Sequence, residues 1–445
     1  MGKSIWWWSS FESEGEIKLM IDICKVLKTN KEISDYKIIS KSKESYELFF
    51  VKERLETVRS TDNNTQKVYV YVDHDNFRGS AAFSMSLNDT LEEIEEKISN
   101  AISTAKIINN QKYALPKDES LDRVLSSNFK DYAPKELGKK IYDVVVKASS
   151  QSKAQFNACE IFINKNITHI INSQNIDKKE VSYDAMIELI PTYDIDSKGN
   201  SVELYKAIHI SLFDEASLYK DICESLNDVT DRANAVKLNK KLDCPILLRS
   251  EEIEQLVSEI AYNLNFATIY SKANLYNVSD NVQKDAEGDL LNVTMCGSLK
   301  GSAYSHLFDE DGLNLSKVKV IKDGVCVNTF GGNQFAQYLG KKPTGNLSLI
   351  EVKPGSLKLT DIKNTKHLEC VSFSGLQVDL ANDYIGGEVR LAKYVDSKHS
   401  TPYTSLSISG KVSDVLKSIK SSKSVVTSGR YKGPKYALVE GFKIL

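Results

Sequence analysis

The chain has 445 residues, of which 41% are hydrophobic and 27% charged, and its formal net charge is -2. This is the composition of an ordinary soluble globular protein, and the length exceeds what one hydrophobic core supports, so we expect two domains of about 200 residues each. The near-neutral charge gives no general reason to expect nucleic acid or an acidic membrane as a partner, and no segment reaches the roughly 18 apolar residues of a membrane-spanning helix.

The cysteines indicate a reducing compartment. There are seven of them, widely scattered and without a CxxC pair, and this pattern predicts free thiols in a cytoplasmic protein. The first residues contain the aromatic cluster Trp6, Trp7 and Trp8 but no apolar run of signal-peptide length. The sequence does not assign a role to this cluster, since aromatic residues of this kind serve as core anchors or as partner contacts.

Residues 1–240 contain two successive sets of helices and strands in a similar order, which predicts an N-terminal α+β domain built as a pseudo-repeat. For the first set we predict a helix at Gly15–Thr29, strands at Tyr46–Val58 and Lys67–Val72 separated by a turn at Ser60–Thr65, a short strand at Ser80–Met85, and a helix at Thr90–Ile107 opened by Asn88 or Asp89. For the second set we predict a helix at Pro134–Ala148, strands at Phe156–Ile163, Thr168–Ser173, Tyr183–Ile190 and Leu204–Phe213, and a helix at Ser217–Val236. Between the two sets, Lys112–Pro134 lacks periodicity and is predicted to be a surface linker.

The segment Ser250–Asn265 is predicted to be an amphipathic helix. Its apolar residues recur at steps of three and four, as on one buried helix face: Ile253, Leu256, Val257, Ile260, Ala261 and Leu264. Ser250 is the predicted N-cap, and Glu251 and Glu252 follow in the first turn, where the helix dipole favours carboxylates. The polar face comprises Glu254, Ser258, Glu259, Tyr262 and Asn263, and it could face solvent, a partner chain or an internal cavity. It carries no histidine, so it lacks the ligands of a metalloprotease helix.

Residues 241–445 are predicted to form a strand-rich C-terminal domain with an antiparallel sheet or barrel-like core, which makes the whole chain α+β. The strongest local signal is Ser316–Phe330, which alternates about Asp323 and Gly324 as in a tight hairpin. The other predicted elements are a helix at Asn333–Leu339 ending at Gly340, a turn at Pro343–Asn346, strands at Tyr384–Tyr394, Tyr403–Ser409 and Tyr436–Ile444, and a helix at Val412–Ile419.

Other candidate sites have simpler structural interpretations. Asp73, His74 and Asp75 have side chains that bind metals, but they end a strand where polar residues normally form a turn. Phe308–Gly312 is acidic but lacks the ligand register of a calcium-binding loop, so a turn is expected. The remaining histidines are isolated from one another and are predicted to be structural or solvated: His169, His209, His306, His367 and His399.

The chain also lacks common catalytic signatures and a convincing nucleic-acid site. It contains no GxSxG, GxxxxGK[ST] or GxGxxG motif. The segment Lys411–Lys443 is locally basic, with Tyr431 and Tyr436 between the charges, and it is predicted to be a solvated face in an otherwise neutral protein. Its basic residues are Lys417, Lys420, Lys423, Arg430, Lys432 and Lys435.

Three segments of the second half contain distinctive motifs: Phe308–Asn346 (FDEDGLNLSKVKVIKDGVCVNTFGGNQFAQYLGKKPTGN), Ser374–Lys393 (SGLQVDLANDYIGGEVRLAK) and Thr401–Ile419 (TPYTSLSISGKVSDVLKSI). Together they resemble a known family, the TldD/PmbA proteins, also called modulators of DNA gyrase. The order of elements is similar over nearly the whole chain, and the specific motifs lie in the second half.

The resemblance implies one of two branches. TldD-type members carry a zinc-binding HExxxH on the helix that corresponds to Ser250–Asn265 and a cysteine ligand near the C-terminus, and they resemble metallopeptidases. PmbA-type members, also called TldE, lack the full zinc set and act as the partner subunit. At the HExxxH positions this chain has Ser258, Glu259 and Asn263, and Ser424–Tyr436 contains no cysteine. The residues present do not supply the imidazole and thiolate ligands of zinc.

We therefore expect a non-catalytic, TldE-like subunit without a metal or cofactor of its own, whose TldD-like partner supplies zinc for cleavage or maturation of peptides. Family resemblance implies a cavity enclosed between the two subunits. An extended peptide could add to a sheet edge of the first half. One alternative is a homodimeric binding or scaffold protein without peptidase activity. Another is a metal-independent enzyme with Glu259 as general base.

Overall fold

The computed structural model describes residues 23–86, 88–196, 199–396 and 399–445. They form an α+β structure in which three mostly antiparallel sheets are packed with helices, as the sequence predicts. None of these three sheets closes on itself, so the core is built from open sheets and not from a barrel. Most of the helix predicted at Gly15–Thr29, and Trp6, Trp7 and Trp8, lie outside the described residues; within them, residues 23–29 are helical.

The first sheet has nine strands, and its main order is β4-β3-β2-β1-β6-β7-β5, with β8 and β9 also paired to β7. Its strands are β1 (Asp35–Val51), β2 (Arg54–His74), β3 (Phe77–Met85), β4 (Asn110–Gln111), β5 (Glu119–Val124), β6 (Gln155–Asn172), β7 (Ile176–Asp194), β8 (Ser201–Glu203) and β9 (Lys206–Ile210). The helices of this half are α1 (residues 23–29), α2 (Leu91–Ala105), α3 (Pro134–Ser149) and α4 (Glu215–Ala233), with a short 3-10 turn at Phe129–Asp131.

Two pairs of helices cover different parts of one face of this sheet. Helices α1 and α2 pack on β1, β2 and β3 through one buried cluster, whose members include Ile38, Val70 and Ile98. Helices α3 and α4 pack on β1, β6 and β7 through a second cluster, which includes Leu48, Ile161 and Ile187. The helices occur where periodicity predicts them, although α2 is capped by Thr90, in a capping box with Glu93, and not by Asn88 or Asp89.

The predicted strand Tyr46–Val58 and the predicted turn Ser60–Thr65 are wrong, because these residues belong to the long hairpin β1–β2. The chain reverses instead at Lys52 and Glu53, which have φ angles of 46° and 63°, and Ser60–Thr65 lie within β2, paired with residues 41–46 of β1. Side chains on this part of β2 are mostly exposed. A strand with solvent on both faces needs no apolar residues, so its sequence resembles that of a turn.

Tertiary pairing also changes three other elements of the first half. The strands predicted at Phe156–Ile163 and Thr168–Ser173 are one continuous strand, β6, because β1 and β7 pair with it along its length. The predicted linker Lys112–Pro134 contains β5, which pairs in parallel with β7. The strand predicted at Leu204–Phe213 is reduced to β9.

The second half holds the other two sheets. Its strands are β10 (Val236–Lys237), β11 (Ile246–Arg249), β12 (Val293–Cys296), β13 (Val318–Lys322), β14 (Val325–Cys326), β15 (Leu349–Val352), β16 (His367–Asp379), β17 (Tyr384–Val395), β18 (Ser400–Thr404), β19 (Leu406–Gly410), β20 (Lys420–Ser421), β21 (Val425–Ser428), β22 (Tyr431–Pro434), β23 (Tyr436–Val439) and β24 (Phe442–Ile444). Its helices are α5 (Ser250–Tyr262), α6 (Phe266–Tyr270), α7 (Asn333–Tyr338), α8 (Leu359–Asn364) and α9 (Val412–Ser418).

The nine-stranded sheet of this half has the order β10-β18-β17-β16-β11-β23-β20, with β19 and β24 alongside, and the six-stranded sheet has the order β14-β13-β12-β15-β22-β21. Helix α5 belongs to the shared core of both sheets, and all six apolar residues of its predicted face are buried. The helix starts one residue earlier than a Ser250 cap implies: Arg249 is the N-cap residue, and its backbone N–H donates to the Glu252 carboxylate at 3.1 Å.

Backbone φ angles explain why one predicted turn is confirmed and two predicted strands are interrupted. Asp323 and Gly324 have φ angles of 48° and 78°, so the predicted hairpin turn is confirmed. The strand predicted at Tyr403–Ser409 is broken at Ser405, where φ is 58°, into β18 and β19. The strand predicted at Tyr436–Ile444 is broken into β23 and β24, next to Gly441 with φ 90°. In the described part of the chain, every helix is too short or too polar to cross a membrane.

Candidate functional site

The polar side of α5 faces the hairpin formed by β21 and β22. Helix α5 packs against β22, and the turn of the hairpin contains Gly429 and Arg430. The Arg430 guanidinium lies close enough to Glu254 and Tyr262 of α5 to change the pKa of both side chains. The fold therefore joins the helix that resembles the family's zinc helix with the segment that resembles its C-terminal ligand segment.

Two carboxyl groups of α5, those of Glu252 and Glu254, lie in an environment that favours protonation. Burial, and then the charge of Glu251, raise the pKa of Glu254 to about 7, against the opposing effect of Arg430. Burial and Glu251 also raise the pKa of Glu252 to about 7, although backbone N–H groups and Arg249 oppose the change. Glu251 itself has a lowered pKa, because Lys206 and Arg249 outweigh its burial; its carboxylate accepts a hydrogen bond from Lys206 at 2.9 Å.

An aromatic and cationic group extends this surface towards the first half. The guanidinium carbon of Arg430 lies 5.1 Å from the ring centroid of Tyr304. The ring of His209, on β9, lies 5.4 Å from the same Tyr304 ring. Because β9 belongs to the first sheet and Arg430 lies in the turn of a hairpin of the third sheet, residues of both halves form one surface beside α5.

The three residues at the HExxxH positions differ in burial and in hydrogen bonding. Ser258 is half-buried and Glu259 is exposed. The Asn263 side chain serves the backbone: its Nδ2 donates to the carbonyl of Glu259 at 2.8 Å, and its Oδ1 accepts from the N–H of Leu275 at 2.6 Å. Asn263 therefore closes the end of α5, whereas Glu254 and Tyr262 are the α5 residues within electrostatic reach of Arg430.

The donor set beside α5 does not fit zinc. Over the residues that the structure describes, no three His, Cys, Asp or Glu side chains are grouped so that they could hold a metal ion. Glu254 has no imidazole or thiolate beside it on α5 or the β21–β22 hairpin, and the nearby guanidinium of Arg430 would repel a divalent cation. We therefore derive no chemical step through a metal in this chain.

The other candidates from the sequence have structural roles. Asp73 pairs with Arg78 at 2.6 Å, the His74 ring contacts the carbonyl of Ile108 at 3.1 Å, and Asp75 sits in the β2–β3 turn with φ 49°. Asp73 and His74 are thus engaged by their own half of the protein at a strand end, and Asp75 belongs to the turn that follows.

The acidic segment Phe308–Gly312 is a turn, as predicted. The Asp309 carboxylate accepts backbone N–H groups of Asp311, Leu313 and Asn346. Burial and the charge of Asp311 raise the pKa of Asp309 to about 6. The turn also joins the two halves, since Lys37 pairs with Asp311 at 2.6 Å.

Three of the six basic residues named for the segment Lys411–Lys443 form ion pairs within the protein. Lys417, Lys432 and Lys435 form ion pairs with Glu287, Glu351 and Glu224. Tyr431 is fully buried, and burial followed by the charge of Glu254 raises its pKa.

Three of the histidines are held by contacts within the protein. The ring of His306 contacts the buried Glu180 at 2.6 Å, His169 contacts Asp177 at 2.8 Å, and His367 contacts the carbonyl of Thr365 at 2.7 Å. The seven cysteines are free thiols.

The C-terminal half carries the deciding sequence match. The family model described as the PmbA/TldA metallopeptidase C-terminal domain matches residues 241–445. This C-terminal part of the chain belongs to the TldD/PmbA family. No curated protein matches the chain by sequence.

Solved structures of TldD/PmbA-like proteins share the fold over nearly the full chain. A protein described as a modulator of DNA gyrase from Bacteroides thetaiotaomicron aligns with a TM-score of 0.77 and 14% identity, covering 98% of this chain and 100% of that one. TldE from Thermococcus kodakarensis aligns with a TM-score of 0.76 and 15% identity, covering 96% and 99%. A modulator of DNA gyrase from Thermotoga maritima aligns with a TM-score of 0.75 and 14% identity, covering 96% and 100%. At these identities the likeness shows the fold.

The sequence pattern does not single out Arg430, Tyr304 or His209. It places Arg430 among solvated basic residues and His209 among isolated histidines. The three residues come from different sheets and loops, so no periodicity or motif joins them. The available signal was the correspondence of Ser424–Tyr436 with the family's ligand segment, which predicts that this hairpin lies against α5.

Proposed function

We propose that this TldD/PmbA-family chain is a non-catalytic, TldE-like subunit of a metallopeptidase complex that cleaves or matures peptides. A TldD-like partner supplies the zinc in this proposal. The observation that carries it is the pairing of α5 with the β21–β22 hairpin, which presents Glu254, Tyr262 and Arg430 instead of a set of zinc ligands.

The surface beside α5 suits the wall of a shared peptide cleft. It combines polar groups, a cation and aromatic rings, namely Glu254, Tyr262, Arg430, Tyr304 and His209. Tyr262 and Arg430 are exposed, and Tyr304, Glu254 and His209 are half-buried. Such groups bind peptide backbone and side chains without supplying an activated water molecule. This chain then contributes substrate binding and the partner contributes chemistry.

A free strand edge offers a place for an extended peptide. Of strand β2, only residues 66–74 pair with β3. Within the described chain, residues 54–65 of β2 therefore pair with β1 alone. Leu55 and Val58 on this segment, and Val51 beside the turn, are exposed. An unpaired edge provides backbone donors and acceptors that recognise a peptide regardless of its sequence, and exposed apolar residues add contact area.

Co-expression with the HExxxH-bearing homologue from the same source tests the proposal. We expect a stable mixed complex on size exclusion, burying more than about 1,000 Å². The complex should cleave unstructured peptides, this chain alone should not, and replacing the partner's HExxxH histidines should abolish cleavage.

The matched control is the same pair with both partner histidines intact and Glu259→Gln in this chain, which removes the carboxylate at the motif position without changing its size. Cleavage within a few-fold of the unmodified complex supports a non-catalytic role. If no mixed complex forms and this chain alone hydrolyses peptides in the presence of chelator, the metal-independent reading replaces the proposal. A stable homodimer without cleavage under any condition favours the scaffold reading.

A further inference from the structure

Arg430 carries a positive charge without an ion-pair partner among the residues that the structure describes. Its neighbours differ, since Lys432 pairs with Glu351 at 2.7 Å and Lys435 with Glu224 at 2.6 Å. The Arg430 side chain is exposed. A guanidinium presents five N–H donors in a planar fork that matches both oxygens of a carboxylate. Arg430 therefore keeps its charge and its donors available for a ligand.

The position of Arg430 is fixed before any ligand binds. Its carbonyl accepts the N–H of Ile350 at 2.8 Å, and the preceding Gly429 carbonyl accepts the Ser302 hydroxyl at 2.7 Å. The same Ser302 hydroxyl accepts the N–H of Tyr304 at 3.2 Å, so both members of the stacked pair are tied to one residue. Stacking on a ring leaves the edge of a guanidinium free, and a pre-ordered side chain loses less entropy on binding.

A second donor lies beside the Tyr304 ring, since the His209 ring centroid is 5.4 Å from the Tyr304 centroid. His209 is half-buried, and its ring nitrogens have no hydrogen-bond partner within the described part of the chain. Imidazole carries at least one N–H donor in either protonation state. On α5, Glu254 is the carboxyl group that would compete with a ligand for the Arg430 guanidinium. It is beyond ion-pair distance of Arg430, and burial favours its neutral form. The surface around Tyr304 is thus rich in donors for an anion.

We propose that Arg430, stacked on Tyr304 and with His209 beside the same ring, binds a carboxylate group of a peptide. This inference rests on the proposed function, because peptides are the substrate class proposed for the cleft. The carboxylate can be the C-terminus of the peptide or an aspartate or glutamate side chain, since both present the same pair of oxygens.

Titration calorimetry of the isolated full-length chain at constant ionic strength tests the site. The probes are an N-acetylated tetra-alanine peptide with a free C-terminus, the same peptide as its amide, and the amide with one alanine replaced by glutamate. We expect the free carboxylate to bind at least about tenfold more tightly than the plain amide, as loss of a charged hydrogen-bond partner implies. The glutamate peptide distinguishes the two sources of carboxylate.

Two variants isolate the guanidinium. Arg430→Ala should weaken binding of the free carboxylate at least about tenfold, and Arg430→Lys should restore part of it because charge returns without the planar fork. Lys432→Ala removes the same formal charge from the same hairpin, while Lys317 still pairs with Glu351 at 2.9 Å, so this variant should bind the peptides like the unmodified chain. Tyr304→Leu should weaken binding with the charge unchanged.

Several results would overturn the inference: equal binding of the carboxylate and amide peptides, no binding of any probe, or equal effects of Arg430→Ala and Lys432→Ala. Failure of this inference is distinguishable from failure of the proposed function, because the calorimetry needs no partner chain. Binding that depends on Arg430, in a chain that forms no mixed complex, refutes the subunit proposal alone. A cleaving complex that is indifferent to Arg430 refutes the carboxylate site alone.

Discussion

Replacing Arg249 with methionine should destabilise the protein, because this side chain joins α5 to both halves of the fold. Its guanidinium donates to Asp228 of α4 at 2.7 and 3.1 Å and to Glu369 of β16 at 2.9 Å. All three side chains are nearly buried, with exposed fractions of 13% for Arg249, 11% for Asp228 and 14% for Glu369. Methionine would fill the space and leave two buried carboxylates without their main partner.

The expected loss is about 3 kcal/mol in the free energy of unfolding, the lower end of the range for breaking a buried ion pair from one side. The lower end applies because Lys393 stays within 3.1 Å of Asp228. For a cooperative unit of about 200 residues, this corresponds to a fall of about 6–12 °C in Tm. Differential scanning calorimetry at pH 7 measures it.

The dependence on pH provides a second test of the same reasoning. Burial alone would raise the pKa of Asp228, but hydrogen bonds and charges from Arg249 and Lys393 lower it below its ordinary value. A lowered pKa stabilises the folded state above the ordinary value of about 3.9, and this contribution is lost as pH falls through the folded-state value. The gap in Tm between Arg249→Met and the unmodified chain should therefore narrow below about pH 4.

Two further variants complete the experiment. Adding Asp228→Asn and Glu369→Gln to Arg249→Met removes the buried charges and should recover at least half of the lost stability. Lys317→Met, which breaks an ion pair whose lysine is 59% exposed, should cost less than about 1 kcal/mol. A fall in Tm for Arg249→Met no larger than that for Lys317→Met, or one that is the same at pH 3.5 and pH 7, would refute the reasoning.

The other predictions concern the surface around α5. The chain purified alone should contain no stoichiometric zinc by elemental analysis, and about one zinc per chain, whose removal by chelator unfolds the protein, would contradict the donor set. Glu259→Ala should leave cleavage by a reconstituted complex within a few-fold, because Glu259 is exposed; a loss of about 10² to 10⁴ with assembly intact would indicate a general base. Asn263→Ala should lower stability by about 1 kcal/mol, through lost hydrogen bonds to Glu259 and Leu275, and reduce assembly more than turnover. Because the pKa of Glu254 is raised to about 7, this carboxyl group destabilises the folded state least below its ordinary pKa of about 4.3 and increasingly as pH rises to about 7. The increase in Tm caused by Glu254→Gln should therefore be larger at pH 8 than at pH 5. An equal change in Tm at both pH values would contradict the raised pKa.

The sequence by itself determined the elements that local physics specifies. The spacing of the apolar residues of α5 predicted its buried face, because a helix repeats every 3.6 residues whatever surrounds it. Asp323 and Gly324 predicted the β13–β14 turn, because few residues tolerate positive φ angles there. The missing histidines of α5 and the missing cysteine of Ser424–Tyr436 are also visible without a structure, since they are matters of side-chain chemistry.

Only the tertiary structure decided which distant segments meet. Residues 60–65 are a strand because β1 pairs with them, although their polar composition favours a turn. Arg430, Tyr304 and His209 share one surface because the hairpin β21–β22, a loop and β9 converge beside α5. The raised pKa of Glu254 likewise depends on burial by those segments and on Glu251. Pairing, burial and charge across long separations depend on the packed chain, and no local pattern in the sequence records them.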